Sequence, residues 1–295
     1  MIYESVDQID FAVSDCPAIP LQGRVVMATP AHYDVQYVIN PHMAGHVGNV
    51  DRVRAQRQWE TLRDTYRALG MEVHSTQGVE KLYDMVFAAN AAAAFLSPDG
   101  KSPGVIMSRM ATASRYDESV HYERFFRELG YDVLHLPEGL TFEGGADAIW
   151  HPGRRLIWGG YGQRTDRATH DAISAMLDVP VIPIRLDDEA FYHLDTCLCT
   201  LDERTALICP AALRPEDIAM IHRLFERIIE VPETEGRERL ACNAHCPDGR
   251  HVLLQKGCPH TTQKLRDAGF EPIEIDIGEF LKAGAAVYCM KLTTW

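Results

Sequence analysis

The sequence lacks the features of a membrane-spanning or nucleic-acid-binding protein. Its apolar runs are short: residues 91–96 form one of the longest, far below the about 20 residues that span a bilayer. Its 29 basic residues are outnumbered by 42 acidic ones, which gives a formal net charge of -13. Because an acidic surface repels phosphate backbones and anionic lipids, we expect neither nucleic acid nor a membrane as a partner.

Cysteine is also sparse, and no export signal is visible. Eight cysteines in 295 residues are too few for a disulfide scaffold. Residues 1–10 lack the basic region and following apolar stretch of a signal peptide. We therefore expect reduced thiols and a cytoplasmic protein. With 46% hydrophobic and 24% charged residues, the composition is that of a globular chain with a large core.

A pattern of two strands, a helix and a third strand recurs five times along the chain. The units cover residues 24–77, 85–137, 142–187, 192–232 and 240–277. A last strand at residues 286–294 has no partner in its own unit. Its natural place is the sheet of the first unit, where it would close a ring without free edges. We therefore predict an α/β fold of five ββαβ repeats around an axis, in a single domain over residues 1–295.

Apolar residues at helical spacing locate the helices within these units. In the first unit, Val53, Trp59 and Tyr66 are predicted to share one buried face. In the fourth unit a helix begins at Pro215, which suits a first turn, and its predicted apolar face includes Ile221 and Ile228.

Polar residues recur in the segment that leads each unit. These leading segments are predicted as strands at residues 35–40, 85–96, 142–150, 192–201 and 240–246, with the closing strand at 286–293. Their polar members, about 50 residues apart, are Asn40, Asn90, Glu143, His193, Asn243 and Cys289. Polar side chains within apolar strands are costly unless they meet one another or a ligand. The spacing therefore predicts a polar pit at the centre of the molecule.

A thiol, an imidazole and a carboxylate that converge on one pit are typical of an activated nucleophile. Cys289 would attack as a thiolate, which a nearby cation favours. His193 is the candidate acid and base, since histidine titrates near neutral pH. Glu143 would orient one ring nitrogen of that histidine.

Three segments at residues 142–148, 192–197 and 282–289 resemble the guanidino-group-modifying enzymes of the pentein superfamily. They read Phe-Glu-Gly-Gly-Ala-Asp-Ala, Tyr-His-Leu-Asp-Thr-Cys and Lys-Ala-Gly-Ala-Ala-Val-Tyr-Cys. Further blocks at residues 37–41, 84–91, 160–162 and 241–244 resemble the arginine dihydrolase branch. The resemblance implies a five-bladed α/β propeller and a cysteine-dependent hydrolase of L-arginine that yields ornithine, ammonia and CO2 without a cofactor.

The resemblance also implies roles for individual residues. Cys289 aligns with the nucleophile, His193 with the general acid and base, and Glu143 with the carboxylate that pairs with the histidine. Asp195 aligns with a carboxylate that holds the guanidinium. Residues i and i+2 of a strand share a face, so His193 and Asp195 are expected to point into the pit together.

The remaining substrate-binding candidates come from the same alignment. Asn90 occupies the position where arginine deiminases usually carry a second guanidinium-binding aspartate, and this difference argues against a simple deiminase. Arg115 aligns with an arginine that binds the substrate α-carboxylate, and Asn40 is expected at the same amino-acid head group. Asp147 lies on the strand of Glu143, but a bulge at Gly144 leaves its direction open.

Several alternatives stay open at this point. A dimethylarginine dimethylaminohydrolase or an arginine deiminase would stop at citrulline, and an amidinotransferase would pass the amidino group to an amine. A non-enzymatic pentein that binds a partner is disfavoured by the three chemical residues together. Cys242, His245, Cys246 and Cys258 do not have paired zinc-ligand spacing, so no metal is predicted. The expected partner is a small guanidino substrate, and a homo-oligomer is left open.

Overall fold

The computed structural model describes residues 1–98 and 100–295, whose strands form five small sheets. The strands are β1 (Arg24–Ala28), β2 (Glu72–Thr76), β3 (Ala92–Leu96), β4 (Pro103–Met107), β5 (Asp132–Leu134), β6 (Ala148–Trp150), β7 (Ile157–Tyr161), β8 (Val181–Arg185), β9 (Leu198–Thr200), β10 (Thr205–Ile208), β11 (Arg227–Glu230), β12 (His251–Gln255), β13 (Glu271–Ile275) and β14 (Leu292–Thr294). The helices are α1 (Arg52–Ala68), α2 (Glu118–Glu128), α3 (Arg167–Leu177), α4 (Pro215–Leu224), α5 (Glu233–Arg239), α6 (Pro259–Asp267) and α7 (Gly278–Leu281).

The sheets repeat one connection pattern. In three of them a short strand pairs antiparallel with the next strand, which then pairs parallel with a third strand across a helix: β3-β4-β5, β6-β7-β8 and β9-β10-β11. The sheet β12-β13 keeps only the parallel pair. In the first sheet β1 and β2 are parallel, and β14 occupies the antiparallel position, with Leu292 opposite Val26. The last strand therefore joins the first sheet, as expected.

Amphipathic faces fix the helices. Asp51 caps α1 by accepting a hydrogen bond from the backbone N–H of Arg54, and Trp59 and Tyr66 are buried as predicted. Val53 is 66% exposed, so its assignment to this face was wrong. Six residues rotate an α-helix by about 600°, which leaves Val53 about 120° away from Trp59.

The fourth helix is shorter than its apolar pattern indicated. It begins at Pro215 as predicted, but Phe225 is extended (φ -115°, ψ 135°) and ends it. Ile228 lies in β11, not on the helix, so that prediction was wrong. An alternating strand pattern directly after a helix can continue the helical spacing by coincidence.

The predicted leading strands are wrong in a consistent way. Each was placed across its polar residue, whereas strands β3, β6 and β9 begin only after it. The residues before these strands form 3-10 turns at Ala88–Asn90, Gly144–Ala146 and Leu194–Thr196. Residues 35–40, 240–246 and 286–291 also lie outside the named strands. A buried apolar run resembles a strand in sequence whether it is extended or turned.

The core is divided among several apolar clusters that lie between the sheets and helices. The largest surrounds β7 to β12 and includes Trp158 and Phe191, both fully buried. All eight cysteines are unpaired, and all but the partly exposed Cys246 are buried. Within the described ranges, the helices are too short or too polar to cross a bilayer.

Candidate functional site

The turns that carry the predicted site residues approach one another closely. Gly144 has φ +64°, and a Cβ added there would lie 2.7 Å from the backbone oxygen of Ala89. A Cβ on Gly160 would lie 2.5 Å from Oδ1 of Asp147 and 2.7 Å from Cβ of Leu194. Glycine at these positions lets the turns 88–90, 144–146 and 194–196 meet around one buried region.

Cys289 lies in this region, 2% exposed. Its Sγ is 3.4 Å from Oδ2 of Asp195 and 3.1 Å from Nδ2 of Asn243. Burial raises the pKa of the thiol well above its usual value, and the Asp195 charge raises it further, against hydrogen bonds from Ala286 and Asn243. The thiol is therefore protonated at neutral pH unless a cation enters beside it.

His193 and Glu143 form a buried pair. Nε2 of His193 lies 2.8 Å from Oε2 of Glu143, and both side chains are at most 1% exposed. Burial alone would raise the pKa of Glu143, but the hydrogen bond and charge of His193, with Arg164 and Arg115, lower it to about 2. Glu143 is thus an ionised acceptor that holds the imidazole by Nε2.

The other imidazole nitrogen faces Asn90. Nη1 of Arg115 donates to Oδ1 of Asn90 over 2.9 Å, which orients the amide and turns its Nδ2 toward Nδ1 of His193 at 3.5 Å. Glu143 therefore faces Nε2 of the ring, and the Asn90 amide faces Nδ1.

Arg115 contacts several other residues, and its role at the substrate carboxylate stays a prediction. It is 3% exposed, and its Nε and Nη2 bind both carboxylate oxygens of Glu118, at 3.0 and 2.8 Å. Nη2 also donates to the backbone oxygen of Asp84. With these donors engaged inside the protein, Arg115 holds Asn90 in place.

Asp195 reaches the region by a route that the sequence did not indicate. His193 is extended, but Asp195 lies in the 3-10 turn that follows, so the strand argument for their common face was wrong. Oδ1 of Asp195 is buried and has no hydrogen-bond partner among residues 1–98 and 100–295. Burial raises the pKa of Asp195 to about 7, against Cys289, Lys291 and Asn243. A buried carboxylate oxygen with no donor is an acceptor for an incoming cation.

Asp147 and Asn40 are engaged with the protein itself. Oδ1 of Asp147 accepts from the backbone N–H of Leu194 at 2.9 Å, and Oδ2 accepts from Oγ1 of Thr165 at 2.7 Å. The Asp147 carboxylate therefore fixes the turn that carries Asp195, and both of its oxygens are engaged within the protein. Asn40 accepts from the N–H of His42 and donates to the backbone oxygen of Ala283.

The sequence that forms this site matches the model of a known family. A family model described as N,N dimethylarginine dimethylhydrolase, eukaryotic, covers residues 42–294. The chain belongs to the dimethylarginine dimethylaminohydrolase family.

The relatives of this chain include a bifunctional enzyme and a dimethylarginine dimethylaminohydrolase. The chain is 36% identical over 91% of its length to the bifunctional arginine dihydrolase/ornithine cyclodeaminase ArgZ of Synechocystis sp., of which the match covers 37%. It is 35% identical over 92% of its length to the N(G),N(G)-dimethylarginine dimethylaminohydrolase of Mycobacterium tuberculosis, of which the match covers 86%. The chain therefore spans little more than a third of the bifunctional relative.

One solved structure of a relative contains a bound reaction intermediate. It is a variant of the N-terminal domain of ArgZ covalently bound to a reaction intermediate, with a TM-score of 0.85 and 35% sequence identity. The match covers 92% of this chain and 97% of that one. The two molecules thus share a mixed α/β fold over nearly their whole length.

Two charged residues that sequence reasoning missed lie beside the site of this family member. Arg164 is 8% exposed, donates to the backbone oxygen of Ile39 at 2.6 Å and stacks 5.2 Å from the ring centre of Tyr192. It lines an open cleft together with Asn40 and Gln163. Asp84 accepts from the hydroxyl of Tyr37 through Oδ2, while its buried Oδ1 has no partner among the described residues. Burial raises the pKa of Asp84.

The signals for these two residues were faint. Arg164 follows the block at residues 160–162, and Asp84 opens the block at residues 84–91, but both blocks indicated only a family resemblance. An isolated Arg or Asp in an irregular segment is usually a solvated surface residue. Burial, which only the fold reveals, separates these two from that majority.

Lys291 is a third residue that the sequence did not indicate. It is fully buried, its Nζ lies 3.2 Å above the ring of Tyr288, and that atom has no hydrogen-bond partner in the described chain. Burial lowers the pKa of Lys291 to about 7, although Cys199, Asp195 and Cys289 oppose the shift. Across residues 1–98 and 100–295, no group of three or more His, Cys, Asp or Glu side chains is arranged to hold a metal ion.

Proposed function

We propose that the chain is a cysteine-dependent hydrolase of the guanidino group of L-arginine. Its most complete form is an arginine dihydrolase: arginine and two waters give ornithine, two ammonia and one CO2. The observation that supports this is the buried contact of Cys289 with Asp195, beside a histidine that Glu143 holds by one nitrogen. The family membership and the similarity to ArgZ agree with it.

The substrate cation starts the reaction. A guanidinium bound against Asp195 supplies positive charge beside Cys289, so the thiol can ionise. The proton of the thiol passes to Nδ1 of His193, which then carries the proton that the leaving group needs. The thiolate attacks the guanidino carbon, and His193 delivers a proton to the departing ammonia. A thiouronium intermediate results. Water then attacks its carbon while Nδ1 of His193 takes the proton of that water, and the thiolate leaves.

Asn90 suits a second hydrolysis. Its amide can donate to the oxygen and accept from the nitrogen of a neutral ureido group, which an aspartate would face as a bare charge. The citrulline formed first is therefore held long enough to be attacked again. Arg115 contributes by orienting this amide.

The head group of the substrate is assigned to the cleft beside the site. Arg164, which lines this cleft, offers a cation for the α-carboxylate. Asn40 lines the same cleft and fixes its wall through Ala283.

The proposal extends to the architecture, the partner and the oligomeric state. The five sheets are the blades of a five-bladed α/β propeller that β14 closes, and residues 1–295 form one catalytic domain around its axis. The antiparallel pairing of β14 with β1 supports this closure. The partner is a small guanidino molecule in the cytoplasm, no cofactor takes part, and the chain can assemble with further copies of itself.

A second function is favoured by the family model itself: hydrolysis of dimethylarginine to citrulline and dimethylamine. The relative from M. tuberculosis, 35% identical, carries this name. A site that binds the neutral ureido product weakly would stop there. The two functions differ in the amine released and in the fate of citrulline.

The test is a time course with L-arginine, dimethylarginine and citrulline. We expect arginine to yield ornithine with two ammonia per arginine, and Cys289→Ser to be inactive while folded, because a hydroxyl cannot form the covalent intermediate. Asn90→Asp should accumulate citrulline and release one ammonia. Wild-type protein that stops at citrulline, or that acts on dimethylarginine alone, would contradict the dihydrolase assignment.

A further inference from the structure

Asn243 is the side chain most extensively bonded to the segment that carries Cys289. Its Oδ1 accepts from the backbone N–H groups of Ala286, at 3.0 Å, and Cys289, at 3.2 Å. Its Nδ2 donates to Sγ of Cys289 at 3.1 Å and to the backbone oxygen of Asp195 at 3.2 Å. Its own backbone oxygen accepts from the N–H of Tyr288 at 3.1 Å. Asn243 is fully buried.

These contacts settle which end of the amide faces the sulfur. Two backbone N–H groups point at one amide atom, which must therefore be the oxygen. The NH2 group is then directed at Sγ and at the oxygen of Asp195. The backbone before Asn243 is fixed as well, since Leu240 has a left-handed φ of +51° and accepts from the N–H of Asn243 at 2.8 Å. The donor is thus preorganised by the fold.

The surroundings of Sγ give this donor its importance. The carboxylate of Asp195 lies 3.4 Å away and opposes a negative sulfur. The hydroxyls of Tyr192 and Tyr288 and the amine of Lys291 also interact electrostatically with the thiol. A hydrogen bond to an ionised acceptor is about twice as strong as one between neutral groups. The Asn243 bond therefore favours the thiolate over the thiol.

We propose that Asn243 is a catalytic residue that donates a hydrogen bond to the Cys289 thiolate while its oxygen fixes the 286–289 segment. This inference rests on the proposed function only in taking Cys289 as the nucleophile. A merely structural role would affect the stability of the segment and leave the ionisation of the thiol unchanged.

Asn243→Asp separates the two roles. The aspartate has nearly the same shape and still accepts from both backbone N–H groups, but it places an oxygen where Sγ receives its donor. Asn49→Asp is the matched control, because Asn49 is exposed in the loop before α1. The measurement is the rate of iodoacetamide alkylation at Cys289 against pH, read by peptide mass spectrometry. A change in the access of iodoacetamide to Cys289 multiplies the alkylation rate by the same factor at every pH. A change in thiolate stability instead moves the pH midpoint of the rate profile.

We expect the midpoint for Asn243→Asp to move upward, with alkylation at neutral pH falling by up to about tenfold for each pKa unit. kcat should fall more than KM rises, and Asn49→Asp should match wild type. Asn243→Ser, whose shorter hydroxyl reaches Sγ poorly, should also move the midpoint upward and serves if the aspartate variant does not fold. A folded variant with the wild-type midpoint would overturn the proposal. A wild-type protein with a reactive Cys289 but no guanidino hydrolysis would instead overturn the proposed function.

Discussion

At the scale of single residues, the site is a set of side chains that orient one another. Glu143 holds Nε2 of His193, while Arg115 turns the amide of Asn90 toward Nδ1. Removing one member therefore changes the hydrogen-bond role of the next. Effects of paired substitutions along this chain should not be additive, because residues in one network share their interaction energy.

The buried amine of Lys291 is expected to lower the stability of the protein. Lys291→Met should raise the free energy of unfolding by about 1–4 kcal/mol at neutral pH, because a buried amine without a hydrogen bond is replaced by an apolar side chain of similar length. The pKa of Lys291 is about 7 in the folded chain, below its usual value, so between about pH 7 and about pH 10 the unfolded chain binds more protons. Wild-type stability should therefore rise with pH across that window.

The advantage of the methionine should be largest below about pH 7 and shrink toward about pH 10. Urea unfolding of both proteins at several pH values measures it, with Lys256→Met, at an exposed position, as the control. A difference between wild type and Lys291→Met that does not vary with pH would show that the amine does not lose its proton in the folded state over this range.

The sequence predicted which residues lie close together, but not their hydrogen-bond partners or their burial. The spacing of Glu143, His193 and Cys289 indicated a common pit because each falls at the same place in a repeat. It could not reveal that Arg115 is occupied by Glu118, since an ion pair three residues apart in a helix turn looks the same exposed or buried. Lys291 escaped notice because burial of a lysine depends on the whole fold.

At the scale of secondary structure elements, the functional residues lie in turns, and strands hold those turns in place. Trp59 and Tyr66 were placed correctly on the buried face of α1, because an amphipathic pattern of several turns is a long signal. The segment at residues 192–201 was predicted as one strand, whereas a 3-10 turn precedes the three residues of β9. Steric contact between neighbouring turns decides this point, and that contact is absent from any single segment.

Gly160 on β7 provides the test of this view. In Gly160→Ala the new Cβ would lie 2.5 Å from Oδ1 of Asp147 and 2.7 Å from Cβ of Leu194, so the turn that carries Asp195 must move. We expect a loss of about 1–3 kcal/mol in stability. We also expect a fall in kcat/KM of about 10²-fold, since a 1 Å misplacement can cost that much.

Gly23→Ala is the control for this substitution, because a Cβ there meets nothing within 4 Å. Urea unfolding and steady-state kinetics of both variants give the comparison. If Gly160→Ala loses stability but retains wild-type kcat/KM, the position of the 194–196 turn does not control the chemistry.

At the scale of the whole molecule, β14 joins the end of the chain to its first sheet. It has three residue pairs with β1, and Leu292, 3% exposed, packs in the same cluster as Val26. Cys289 lies only three residues before this strand. The position of the Cys289 thiol therefore depends on a short pairing between distant parts of the chain.

Leu292→Ala should lower the free energy of unfolding by about 2–5 kcal/mol, the usual cost of a cavity in a core. In urea, activity should be lost at a lower concentration than secondary structure, which far-ultraviolet circular dichroism measures. The difference between the urea midpoints of these two transitions should be larger in Leu292→Ala than in wild type. Coincident midpoints for activity and circular dichroism in both proteins would show that β14 detaches only when the molecule unfolds as a whole.

The pairing of β14 with β1 also limits where the thiol can react. The groups around Cys289 come from distant parts of the chain, Asp195 and Asn243, and they meet the sulfur only when the 286–289 segment is seated. A molecule whose last strand has come loose carries a thiol that no longer meets these groups. Damaged or partly unfolded copies would thus lose this arrangement and their activity at the same time. They would not keep a reactive site that could attack other amidines.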